Sequence, residues 1–296
     1  MIAVTEKNRG HQFNVGFVSF GGGSLAWYLA GKRIKRQAKA SGIFATIKVF
    51  NDRTIKHVLS NAEIELVKDN KRGYGFWVWK PRIVEHVLTQ NPNLDLILYA
   101  DAGCEININS KSRARLLNYL EMALANEVVA FDLGLPESHW TKSVTLNYFS
   151  SKGAMYPESN QISASCFILT SNFAARLIPQ WKDHMLFNNY QNLKDDIDVD
   201  ENPTFQAHRH DQSIFSLTLK TMKKDLFLPA SEIYFFPNWN DGVDFPILNT
   251  RNASFFSILN RTRLVKPLRL IERFAFAASR RVFKVSVKSP RRKLDD

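Results

Sequence analysis

The strongest constraint in this chain is the alternation of short apolar runs with longer amphipathic ones near its start. Asn14-Val-Gly-Phe-Val-Ser-Phe20 is a compact apolar run of the kind that forms a buried strand. It stops at Gly21-Gly-Gly-Ser24, residues 25–40 then read as a helix rich in Lys and Arg, and residues 43–50 read as a second strand ending at Asn51-Asp52. Strand, helix and strand at this spacing make a βαβ unit, the building block of a parallel sheet. The fold class expected from it is α/β.

The grammar repeats further along. Pro81 can open a helix in its first turn, continued by residues 82–89. Residues 95–100 form a hydrophobic strand ending at Asp101-Ala-Gly-Cys-Glu105, 112–126 a helix, 127–131 a strand and 163–170 another strand. Ser171 caps a helix reaching about residue 185, the acidic stretch 186–206 reads as an exposed loop, and 211–220 as a helix. Open α/β sheets bind ligands at the carboxyl ends of their strands. Residues 21–24 and 101–105 both belong there.

Composition narrows the class of protein. Apolar residues are 45% and charged residues 23%, the balance of a folded chain rather than a disordered one. No apolar run approaches the ~18 residues of a membrane span. The stretch from Met1 to Arg9 is too polar to read as a signal peptide. Two cysteines, Cys104 and Cys166, are too few for a disulfide framework or a metal-binding quartet. The expected compartment is a reducing cytoplasm. The net charge of +12 is unevenly spread: residues 261–296 hold twelve Lys and Arg against three acids, leaving +9 there and +3 in the first 260 residues. The chain does not read as one that coats nucleic acid along its length.

Three segments can carry chemistry. Lys71-Arg-Gly-Tyr-Gly-Phe-Trp-Val-Trp-Lys-Pro81 combines aromatic faces, which stack on a base or sugar, with cations, which hold phosphate oxygens. Trp77 and Trp79 can equally be core anchors. Asp101 sits at a strand tip, where a carboxylate is desolvated unless it meets a cation, a metal or amide donors. Gly103 permits close approach of a ligand or of other backbone. Alone, Asp101 supplies part of a Mg²⁺ or Mn²⁺ site, or it merely caps a turn. His208-Arg-His-Asp-Gln-Ser213 offers a base, a metal ligand or an acceptor for sugar hydroxyls, with Asp211 alternatively a helix N-cap. Residues 21–24 lack the ending of a P-loop and the spacing of a dinucleotide fingerprint, and neither a Gly-x-Ser-x-Gly elbow nor a His-Glu-x-x-His helix is present.

Arg72-Gly-Tyr-Gly-Phe-Trp-Val-Trp-Lys-Pro81, Leu98-Tyr-Ala-Asp-Ala-Gly-Cys104, Trp140-Thr-Lys142 and His208-Arg-His-Asp-Gln-Ser-Ile-Phe-Ser216 occur in that order. Together they resemble GT-A-type microbial glycosyltransferases of polysaccharide gene clusters, over roughly residues 14–240. The resemblance implies a GT-A-like, mostly parallel sheet flanked by helices. It also implies a nucleotide-diphosphate sugar donor and a glycan or lipid-linked acceptor in surface polysaccharide synthesis. Residues expected to bind the donor are Gly21, Gly22, Arg72, Tyr74, Trp77, Trp79, Lys80, Asp101, Gly103, Lys142 and Gln212. Asp101 matches the first carboxylate of the Asp-x-Asp that holds a divalent metal in such enzymes, but Gly103 stands in place of the second. Asp211-Gln212 is similar to the Asp-Gln motif of glycogenin-like transferases, with 161–168 as the strand beside the donor sugar.

Sugar transfer passes through an oxocarbenium-like state while a diphosphate departs. A metal or cations must meet the growing negative charge in a site that excludes water. Lys80, Arg72, Lys142 and Arg209 are the candidate cations, and Asp211, followed by His210 and Glu105, the candidate base.

A boundary is expected between a catalytic domain, 1–260, and a tail, 261–296. On a helical wheel Lys266, Arg269, Arg273, Arg280 and Lys284 lie within about 60° of one another, opposite Leu264, Leu268, Ile271, Ala275, Ala278 and Val282. A basic amphipathic helix of this kind suits an anionic membrane surface, which would place the protein peripherally on the inner face of the cell membrane. Packing against the catalytic domain is the other reading of the same helix. The competing functional class is a non-catalytic protein that binds membrane or nucleic acid through this tail, and nucleotidyl transfer is a third reading.

Overall fold

The computed structural model describes residues 13–259 apart from 154–156, 197–199, 223 and 225. The chain runs through β1 (Val15–Phe20), α1 (Leu25–Ser41), β2 (Thr46–Phe50), α2 (Asn61–Asp69), the single turn α3 (Gly73–Phe76), α4 (Trp79–Gln90), β3 (Leu96–Ala100) and β4 (Glu105–Ile106). Then follow α5 (Ser110–Asn126), β5 (Val128–Val129), β6 (Phe131–Pro136), α6 (Glu137–Trp140) and α7 (Ser143–Ser150). β7 (Asn160–Ile162), β8 (Cys166–Thr170), α8 (Ser171–Tyr190), α9 (Asp211–Thr221), β9 (Leu228–Pro229) and β10 (Ile247–Leu248) complete it. The central sheet has the order β2-β1-β3-β8-β5, with two small sheets, β7-β6-β9 and β10-β4, beside it.

The central strands are apolar throughout because helices cover both faces. Val18, Phe20, Ile97, Tyr99, Phe167 and Leu169 share one core with Ile83, Val84, Trp181 and Phe215 of α4, α8 and α9. Their neighbours Val15, Phe17, Leu96, Leu98, Cys166 and Ile168 share another with Ala30, Ile34, Leu116 and Leu120 of α1 and α5. Alternation of side chains along each strand therefore divides one apolar run between two cores. Each large side chain so buried is worth about 1.5–3 kcal/mol.

β1 pairs in parallel with β2 and β3, as the βαβ pattern requires. β8 departs from expectation by running antiparallel to both β3 and β5. A parallel neighbour needs a crossover that carries the chain back to the starting end of the sheet. The chain instead enters β8 from the end where β3 and β5 finish. Ala100 consequently pairs with Cys166, and the Asp101 amide donates to the Ser165 carbonyl at 2.8 Å.

Other boundaries move for local reasons. Glu127, at φ 71°, ends α5 and leaves the expected strand to start at Val128. The cap of α8 is Thr170, which accepts from the Phe173 amide, while the Ser171 hydroxyl donates to the Leu94 carbonyl. The stretch 186–206 is partly interior: beyond a kink at 187–189, Tyr190, Asn192 and Leu193 are buried. Cys104 and Cys166 are buried free thiols. The amphipathic tail lies outside the described residues. No helix among the described residues is long and apolar enough to cross a membrane.

Candidate functional site

The floor of the site is built where β3, α4 and α9 begin or end together. Trp79 and Lys80 open α4, and Pro81 occupies a first-turn position whose missing N–H leaves no helical bond unmade. The Lys80 side chain is only 3% exposed. Its Nζ donates to Asp211 Oδ2 at 2.5 Å and to the Ala164 carbonyl at 2.9 Å, and lies 3.4 Å from Asp101 Oδ1. Burial by itself would favour the neutral amine, but the charges of Asp101 and Asp211 outweigh it and hold the pKa above its usual value.

The two carboxylates differ in access. Asp211 is the first residue of α9, its side chain is 6% exposed, and burial, opposed by Lys80, pushes its pKa up to about 6. The N-cap position belongs to His210, so Asp211 binds Lys80 instead of capping the helix with its side chain. Asp101 is 31% exposed. Its Oδ1 accepts the hydroxyl of buried Tyr99, and no hydrogen bond from a described residue reaches its Oδ2. Burial and then the Asp101 charge raise the Tyr99 pKa well above its usual value, keeping the phenol a donor.

One wall is made by a backbone that L-residues resist. Gly73, Tyr74, Gly75, Phe76 and Trp77 all have φ between 54° and 82°. Left-handed geometry costs roughly 1–2 kcal/mol for each non-glycine residue, so Tyr74, Phe76 and Trp77 store a few kcal/mol between them. The turn persists because bonds cross it: Gly75 N–H to the Asn70 carbonyl (2.9 Å), Phe76 N–H to Arg72 (2.8 Å) and the Trp79 indole to Gly73 (3.0 Å). Phe76 is buried on the His210 ring, 5.0 Å between centroids, and Trp79 on Phe20 at 4.3 Å. Tyr74 and Trp77 are left half-buried on the wall of a cavity of about 1290 Å³. That exceeds the ~300–1,000 Å³ usual for a small-molecule site.

Arg209 and Arg251 line the same cavity. The Arg209 guanidinium lies 4.0 Å from the centroid of the Trp140 ring. Burial, then the charge of Arg251, lowers its pKa, yet a guanidinium stays protonated. Neither arginine has an ion-pair partner among the described residues. Lys71, Arg72, Lys80, Arg209 and Arg251 line the cavity against two carboxylates, Asp101 and Asp211. The lining is therefore suited to a multiply charged anion.

Gly22, Gly103 and Gln212 also reach this cavity, together with His210. Several expected roles are nevertheless displaced. Gly21 does not face the cavity; a Cβ there would lie 2.7 Å from Gly31 Cα, so its smallness serves packing of the loop on α1. Glu105 is buried and saturated by Asn252 (2.7 Å), the Ile258 amide (2.8 Å) and the Ser257 hydroxyl, which removes it as a base. Buried Lys142 spends its ammonium on the carbonyls of Lys194 (3.0 Å) and Asp196 (3.1 Å) rather than facing the cavity. His210 lines the cavity with its Nδ1 tied to the Leu193 carbonyl at 2.7 Å, and burial lowers its pKa. Arg72 pairs with Asp195 at 2.9 Å. Trp79, 3% exposed, anchors the core while bordering the cavity.

Arg251 was not foreseeable from local pattern. It reaches the cavity because Thr250 and Asn252 both donate to the Gly103 carbonyl, at 2.8 and 2.9 Å. A Cβ on residue 103 would lie 3.2 Å from Arg251 Cα, so Gly103 admits backbone and not only ligand. A second feature with no sequence signal is the network around buried Glu137. Its Oε1 accepts from Lys220 (2.7 Å) and Ser216 (2.5 Å), and its Oε2 from Thr141 (2.6 Å) and Gln161 (3.1 Å). Gln161 in turn accepts from the Gln212 amide at 2.7 Å, which orients that residue toward α6 and β7.

The donor set does not fit a protein-held divalent ion. Gly103 contributes no side-chain oxygen, the Lys80 ammonium fills the gap between Asp101 and Asp211, and no three His, Cys, Asp or Glu side chains gather as a ligand group among the described residues.

No protein-family model matches this chain, and no curated protein sequence does. A crystal structure of a glycosyltransferase involved in the glycosylation of the major capsid of PBCV-1 is similar over 88% of this chain and 99% of that one. The TM-score is 0.45 and the sequence identity 8%.

Proposed function

We propose that the cavity binds a nucleotide-diphosphate sugar and that the chain transfers the sugar to an acceptor hydroxyl. The observation that carries this reading is the meeting, in one cavity, of Arg209 and Arg251, which have no ion-pair partner among the described residues, with the Lys80-bridged carboxylates and the aromatic faces of Tyr74, Trp77 and Trp140. Arginines suit the diphosphate, aromatic faces suit the base or sugar, and a carboxylate suits the hydroxyls. The volume accommodates a donor and the end of an acceptor together.

In the reaction the bond from the anomeric carbon to the diphosphate oxygen breaks, and a bond from that carbon to the acceptor oxygen forms. The leaving oxygen gains charge that Arg209 and Arg251 meet, more strongly once water is excluded. Asp101, the more exposed carboxylate, accepts from the hydroxyls of the donor sugar, while Asp211, which also lines the cavity, holds Lys80 and takes the acceptor proton at a pKa near 6. Gln212, on the same helix turn, orients the sugar. The acceptor is a glycan or lipid-linked saccharide, and the basic segment 261–296 supplies attachment to an anionic membrane face, where such acceptors reside.

The test is calorimetric binding of a panel of nucleoside diphosphates to folded protein, followed by hydrolysis of the matching nucleotide sugars. One member of the panel should bind and its sugar conjugate should be hydrolysed. Absence of binding by every member sinks the proposal, and release of pyrophosphate instead of a nucleoside diphosphate replaces it with nucleotidyl transfer.

A further inference from the structure

We propose that the Lys80 ammonium occupies the cation position of this site, and that a diphosphate is held here by side-chain cations without a divalent metal ion. The proposal rests on the reading above for its ligand but not for its geometry. Asp211 Oδ2 at 2.5 Å, the Ala164 carbonyl at 2.9 Å and Asp101 Oδ1 at 3.4 Å surround Nζ. Two carboxylates and a carbonyl converging on a buried point are the oxygen donors a hard divalent cation takes. Here the point is filled by a covalently attached cation that is 3% exposed.

Three further features agree. The hydroxyl of Tyr99 donates to Asp101 Oδ1, so the oxygen facing Lys80 is already shared between two donors and is a poor metal ligand. Gly103 cannot supply a second side-chain oxygen, and its backbone space is occupied by the Arg251 segment. That segment delivers a guanidinium to the cavity, so the anion-binding charge a metal would bring is supplied by Arg209 and Arg251. One ammonium and two guanidinium groups bring three positive charges where a divalent ion brings two, and they need no closed ligand shell.

Two measurements decide it. In electron paramagnetic resonance, Mn²⁺ added to the wild-type protein alone should keep the signal of free Mn²⁺. In Lys80→Ala, where the oxygens lose their ammonium, about one equivalent should become bound. Calorimetry of inorganic pyrophosphate with wild-type protein should give the same Kd within about twofold in EDTA and in Mn²⁺, and Arg251→Ala should weaken it about tenfold in both. Mn²⁺ bound by the wild type and lost in Asp101→Asn overturns the proposal, as does a tenfold or greater loss of pyrophosphate affinity in EDTA. If Lys80→Ala does not fold, the wild-type measurements still decide. Sugar transfer that proves strictly Mn²⁺-dependent would keep the transferase reading and sink this one; failure of every sugar nucleotide leaves the Mn²⁺ result standing by itself.

Discussion

Two buried lysines in this protein meet carboxylates, and the two clusters differ in how completely they are satisfied. Around Glu137, both carboxylate oxygens accept two hydrogen bonds each, and Lys220 donates also to the Asn160 carbonyl. Around Lys80, Asp211 is buried against the ammonium, whereas Asp101 is 31% exposed and keeps an oxygen with no donor among the described residues. A saturated cluster has nothing left to offer a substrate and acts as scaffold. An incompletely satisfied one at a cavity is where substrate groups find partners. Residue type does not separate the two cases, since both are Lys with Asp or Glu.

The contrast is tested most severely by removing one carboxylate from each cluster. Glu137→Ala strands the Lys220 ammonium and should cost about 3–5 kcal/mol, read in urea unfolding, with activity falling only as folded protein is lost. Asp101→Asn should leave the melting temperature within a few degrees while donor hydrolysis falls by about a hundredfold or more. Equal loss of stability in both variants would erase the distinction.

A smaller effect concerns pH. The folded state raises the Asp211 pKa to about 6 from an ordinary 3.8. Between those values the folded protein binds the proton and the unfolded chain does not, so stability contributed by this group declines as pH rises from about 4 to 6. Asp211→Asn should flatten that part of the stability profile. In the wild type, kcat/KM should fall as pH drops through about 6, because the proton-accepting carboxylate is lost. A profile unchanged in the variant would assign the titration elsewhere.

Smallest of all is the exposed pair Lys68–Glu65. It is as short, at 2.6 Å, as the buried contacts, yet its side chains are 62% and 63% exposed. Lys68→Ala should change stability by no more than ~0.5 kcal/mol. A larger loss would mean that distance, not burial, ranks these ion pairs.

Much of the site was legible because its residues are unusual for where they stand. Gly73, Gly75, the aromatics and the cations between Lys71 and Pro81 mark a segment suited to bind base, sugar or phosphate, and residues 73–77 of it form the left-handed turn at the cavity wall. Asp101 was suspect as a desolvated carboxylate at a strand tip and Asp211 as a base or cap at a helix start, and both reach Lys80. Glu105 and Lys142 carry the same chemical types but are consumed by Asn252, Ile258, Lys194 and Asp196, partners whose contact depends on distant parts of the chain. Arg251 was hidden for the same reason: its position follows from the pairing of β10 with β4 and from the Gly103 carbonyl.

By itself the sequence determined the alternation of strands and helices, the flanking of the central sheet by helices and the segments able to carry chemistry. These are local properties, because periodicity along a strand or helix states which faces meet water. Only the tertiary structure decided the direction of β8, the choice of Lys80 as the group between two carboxylates and the removal of Glu105 and Lys142 from the cavity. Those outcomes depend on which distant segments come together, and one charged side chain looks like another until its partner is in place.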